Sequence, residues 1–69
     1  MSAVDELIAS LDAGNFDKVL DKAMDGADKG KLQSLMKDME AKVAGIPDQE
    51  KRHLFKNGIA SLKMIADSM

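Results

Sequence analysis

An all-α fold is what this sequence predicts: a small helical bundle, a single domain over 1–69, in which two long antiparallel helices (about 29–44 and 47–68) follow two short ones. Three observations predict it. Apolar residues recur at intervals of three and four along the chain, the period of one helix face. No segment alternates apolar and polar residues as a half-buried strand does. Each periodic stretch is bounded by Gly, Asn, Asp or Pro, which start and stop helices.

The first stripe is Val4, Leu7, Ile8 and Leu11. Ser2 stands ahead of it as the expected N-cap, and Asp5 and Glu6 lie in the first turn, where the helix dipole favours negative charge. Gly14 ends it, as glycine commonly does one residue past a helix. Asn15 is positioned to cap a second, short helix with the stripe Phe16, Val19, Leu20, Ala23 and Met24, closed by Gly26. Asp17 and Asp21 are like charges four apart, as are Lys18 and Lys22, which weakens this helix in isolation. Tertiary packing must hold it.

In the third helix Leu32, Met36, Met39, Val43 and Ile46 follow a 4-3-4-3 spacing, a heptad-like seam that Leu35 widens. Asp38 and Lys42 make a favourable pair four apart, and Gly45 is the expected terminator. Pro47 is expected at the first position of the fourth helix, with Asp48 and Glu50 in its first turn. Phe55, Ile59, Leu62, Ala66 and Met69 repeat the 4-3-4-3 spacing, with Leu54 and Ile65 flanking. Gly58 interrupts this helix at a cost of about 1 kcal/mol against alanine, which suggests a close helix approach. The short Gly-Ile-Pro connection makes the two long helices antiparallel neighbours, with the short helices laid against them.

Sixty-nine residues make one domain, whose core supplies about 3–5 kcal/mol at most. With no cysteine, neither a disulfide nor a thiolate metal site is available. The opening Met-Ser-Ala-Val-Asp-Glu lacks the basic and apolar regions of a signal peptide, and no apolar run reaches the ~18 residues of a membrane span, so a cytoplasmic protein is expected. Residues 1–28 hold seven acids and two lysines, a net of −5, whereas residues 29–69 hold five acids and eight bases, a net of +3. Attraction between opposite faces of one bundle is the plainer reading of this asymmetry. A basic surface for an acidic partner is the functional one.

Residues 25–32, DGADKGKL, touch on a calcium loop. With Gly30 at loop position 6, Asp25 takes position 1 and Leu32 position 8. Positions 3, 5 and 12 are then Ala27, Lys29 and Met36, so three side-chain ligands are lost and a positive charge stands close to the ion. No metal or cofactor is expected. The stretch reads as a helix–helix connection, with Asp28 the N-cap of the third helix.

No catalytic residue is expected. His53 is the only histidine and sits among Lys51, Arg52 and Lys56, without the orienting partner a general base needs. The serines lie outside any strand-to-helix elbow, and no glycine-rich phosphate loop is present. Lys51, Arg52, Lys56 and Lys63 make a basic stripe that could meet nucleic-acid phosphates. The acidic balance of the chain and the lack of Tyr or Trp for base stacking count against that.

Six methionines are the most suggestive compositional feature. Methionine adapts its shape, and Met-rich grooves bind varied helices. The sequence therefore predicts a small non-enzymatic regulator that binds and inhibits or stabilises a larger bacterial or phage-targeted protein. The expected contact residues are Met36, Met39, Val43, Phe55, Ile59 and Leu62. A nucleic-acid-binding regulator and a self-assembling structural subunit are the alternatives. A homodimer is expected, because these apolar stripes look large for the core one copy can close.

Overall fold

Bounded apolar stripes become four α-helices: α1 (Ala3–Ala13), α2 (Phe16–Met24), α3 (Lys29–Val43) and α4 (Gln49–Asp67). The computed structural model describes residues 3–69, and among them there is no strand. The cap expected at Ser2 lies outside the described residues. Within DGADKGKL, residues 25–28 are the helix–helix connection and residues 29–32 are the first turn of α3, with α2 ending at Met24 and α3 beginning at Lys29.

The boundaries follow local chemistry. Gly14 and Gly26 have φ of 78° and 71°, the left-handed conformation that reverses the chain after α1 and α2 without a Cβ penalty. Asp28 caps α3, its carboxylate accepting from the Lys31 N–H at 2.8 Å. Asn15 holds the N-cap position of α2 but makes no side-chain cap bond. One expectation is corrected. Asp48, not Pro47, sets the start of α4: its carboxylate accepts from the N–H groups of Glu50 (2.9 Å) and Lys51 (3.1 Å), so Pro47 lies one residue before the cap. Gly45 stands just past the C-cap Ala44, as expected, without a left-handed conformation. The chain leaves α3 through Ala44 in a right-handed turn, with Gly45 N–H bonded to Lys42 O and Ile46 N–H to Val43 O. That turn delivers Ile46 into the core, where it is buried.

Leu7 of α1, Leu32 and Met39 of α3, and Phe55 and Leu62 of α4 are the largest fully enclosed side chains. α3 packs chiefly on α4, and α1 touches the other three helices. α2, only nine residues long, is too short to be stable alone. It is held by burying Phe16 and Leu20 while its like-charged pairs point outward. Phe16 stacks obliquely on Phe55, ring centroids 5.7 Å apart. Gly58 leaves room for two α2 side chains against α4: a Cβ there would sit 2.8 Å from Phe16 Cζ and 3.2 Å from Leu20 Cδ2. The radius of gyration, 11.1 Å, matches the ~11 Å expected of a compact chain of this length. One copy therefore closes its main apolar stripes on itself.

Candidate protein-binding surface

The six expected contact residues are placed first by their burial. Met39, Phe55 and Leu62 are 0% exposed, in the centre of the single-chain core. Met36, Val43 and Ile59 are half-buried and packed against it. In this fold the α3 and α4 seams face one another's helices, so they hold the bundle together and offer no open groove. The physical reason is periodicity: a 4-3-4-3 seam marks a face that needs covering, and here the other helices of the same chain cover it.

The basic stripe divides. Lys51 turns toward α1 and forms an ion pair with Asp12. Its hydrogen bond to Asp12, then the charge of that carboxylate, raise the lysine above its ordinary pKa. Arg52 Nη1 donates to the carbonyl of Ile46 at 3.4 Å, reaching back over the α3–α4 connection. Lys56 and Lys63 stay exposed. An open depression of about 500 Å³ at the start of α4 is lined by Gln49, Glu50, Arg52, His53 and Lys56. His53 is exposed there.

A second depression, about 280 Å³, lies between α1 and the α3–α4 connection. Ile8, Leu11, Ile46 and Pro47 give it an apolar floor; Asp12, Lys42, Asp48 and Lys51 stand at its rim. Most of those charges are engaged, since Asp12 pairs with Lys51 and Asp48 caps α4. Every buried side-chain polar atom among the described residues is hydrogen-bonded, Ser10 by donating to the Leu7 carbonyl at 2.6 Å. No group of three or more His, Asp or Glu among them is arranged to hold a metal ion, and none of their helices is long and apolar enough to cross a membrane.

The apolar surface left to solvent is concentrated on α4 and just past its end. Leu54, Met64, Ile65 and Met69 are the large hydrophobic side chains exposed among the described residues, Met64 most of all at 71%. Ser61, Met64, Ile65 and Ser68 share one shallow depression, which places them on a common face. Toward the start of the helix Leu54 borders an open groove of about 370 Å³, with Leu11, Gly14, Asn15, Phe16, Asp17 and Lys18. Glu50, Leu54, Asn57, Ser61, Met64 and Ser68 recur at 4-3-4-3-4 spacing and are all exposed. This is a second seam, one or two residues out of step with the Phe55, Ile59, Leu62 and Ala66 row. Its signal was present in the sequence but obscured, because its asparagine and serines read as an ordinary solvent face. Comparison with protein-family models, curated proteins and solved structures finds no match.

Proposed function

We propose that this chain is a small, non-enzymatic regulatory protein that binds and modulates a larger protein through an apolar helical surface. One observation carries the reading: the exposed hydrophobic side chains Met64 and Ile65 share one face near the end of α4, with Met69 just beyond it and Leu54 exposed about three turns earlier on the same helix. A patch of this kind on a small domain marks an interaction surface more often than scattered single residues do. The bundle supports it as a scaffold, with the two long helices folded back antiparallel so that the buried side of α4 is fixed and its outer side is presented. Flexible methionines suit adaptable contact. The contact residues named from sequence alone give way to this face, since Met39, Phe55 and Leu62 are enclosed. Nucleic-acid binding is the weaker alternative, because Lys51 and Arg52 are engaged within the chain and only Lys56 and Lys63 of the stripe stand free in the solvent.

The test is capture from a lysate of the native host, read by mass spectrometry, with wild type beside Met64→Lys/Ile65→Lys. Both substituted side chains are exposed, so helicity should be unchanged. A defined protein retained by wild type and lost by the variant is the expected result. Equal capture by both would overturn the assignment of this face. Tight, salt-sensitive binding to a mixed-sequence duplex, lost in Lys56→Glu/Lys63→Glu, would replace it with the nucleic-acid reading.

A further inference from the structure

We infer that the outer seam of α4 pairs with the same seam of a second copy, antiparallel and two-fold symmetric, with Leu54 of each chain against Met64 of the other. The inference rests on reading that face as a protein-binding surface and names its occupant.

Three features of the seam point to self-pairing. The first is register. In an antiparallel pair related by a two-fold axis, residues facing each other have a constant sum of their numbers. Setting Leu54 against Met64 also sets Asn57 against Ser61 and Glu50 against Ser68, so every seam position meets another seam position. The apolar pairs lie about 15 Å apart along the helix, at about 1.5 Å per residue, on either side of a polar centre whose amide and hydroxyl can hydrogen-bond. A two-fold interface uses one patch twice, and this patch is complementary to itself in that sense.

The second feature is shape. Met64 is the most exposed large hydrophobic side chain described, and the groove beside Leu54 is the open space that an antiparallel partner's Met64 would enter. Leu11 and Phe16 are among its lining residues, as are the charged Asp17 and Lys18. A projecting side chain at one end of a helix face and a receiving groove at the other are brought together twice by the same rotation.

The third feature is charge. From Leu54 to Ser68 the seam carries no charged residue, in a chain that is 32% Asp, Glu, Lys and Arg. A face that meets its own copy must avoid apposing like charges. Along one margin lie His53, Ala60 and Asp67. On this flanking margin, where paired numbers sum to two more than in the facing row, the register brings His53 toward Asp67 of the second copy and Ala60 toward Ala60. Small residues thus meet in the middle, and no like charges meet at the ends.

With asparagine and serine at its centre and only two apolar pairs, the pair should be weak. A weak pair covers the face at high concentration and yields it to a tighter partner.

Sedimentation equilibrium up to about 1 mM, chosen because small interfaces are weak, should show a monomer–dimer equilibrium that Ser61→Arg shifts to monomer with helicity unchanged. Register is tested by cross-linking, because the chain has no cysteine of its own. Under mild oxidation a mixture of Leu54→Cys and Met64→Cys chains should bridge at least about tenfold faster than either alone, since disulfides need Cβ atoms about 4 Å apart. Wild type that stays monomeric throughout overturns the inference, as does equal bridging in all three samples. Host-protein capture with Ser61→Arg separates the two claims: monomeric wild type whose capture is lost on this substitution would sink self-pairing and leave the protein-binding surface standing.

Discussion

Gly58 and Phe55 show opposite constraints acting within a single turn of α4. Alanine at Gly58 gains about 1 kcal/mol in helix propensity. Its methyl group would, however, press on the Phe16 ring at 2.8 Å, and Phe16 is itself buried against Phe55. Overpacking typically costs about 1–3 kcal/mol. Gly58→Ala should therefore lose about 1 kcal/mol net, and Phe16→Leu should relieve part of it, giving a non-additive double-mutant cycle in urea unfolding. A stabilised Gly58→Ala protein would show that α2 is free to step aside. Phe55, fully enclosed, should behave differently: truncation to alanine costs about 3–5 kcal/mol, as much as a core this size supplies. Phe55→Ala should lose its helical circular dichroism at 25 °C. Met64→Ala, on the exposed seam, should stay within about 0.5 kcal/mol of wild type. A comparable loss at Met64 would mean that its surface is already covered.

At the scale of the element, cap strength varies along the chain. Asp48 accepts two backbone N–H groups and Asp28 one, whereas the Asn15 side chain accepts none at the head of α2. Removing a cap that bonds costs about 0.5–2 kcal/mol. Asp48→Ala and Asp28→Ala should fall in that range, with Asp48 the larger, and Asn15→Ala should be nearly neutral. Denaturant midpoints of the three variants check the order; a large loss at Asn15 alone would contradict the geometry. Helix type and order were legible because 4-3 spacing and turn residues are local signals. The start of α4 was not, because Pro47 and Asp48 both qualify as initiators. The choice depended on which one had N–H groups within reach.

For the molecule as a whole, the Asp12–Lys51 ion pair ties α1 to α4 and joins the acidic half of the chain to the basic half. Elsewhere the asymmetry stays on the surface, with Asp17, Asp21, Asp25, Lys56 and Lys63 all exposed. Asp12 raises the pKa of Lys51 above the ordinary 10.5. A raised lysine contributes its stabilisation fully below the ordinary value, and the contribution is lost as pH rises through the raised one. Wild type and Lys51→Gln should thus differ by a constant small amount between pH 6 and 9, and converge above pH 10.5. Urea midpoints across that range test it. A difference that persists undiminished well above the lysine range would assign the effect of the substitution to packing of the lysine stem.

The sequence alone determined the all-α class, the order of four helices, the reversals at Gly14 and Gly26 and the cap at Asp28. Each depends on residues within one or two turns of one another. It also marked Phe55, Ile59 and Leu62 as a face needing cover. What covers that face was decided by tertiary structure, since an apolar seam looks the same whether its partner is α1, α3 or another protein. Three-dimensional packing buried Met39, Phe55 and Leu62 within one chain, drew Lys51 and Arg52 out of the basic stripe, and left Leu54, Met64 and Ile65 outside. Which face of a helix stays exposed depends on contacts between residues far apart in the chain, such as Phe16 lying over Gly58. Local periodicity carries no record of those contacts.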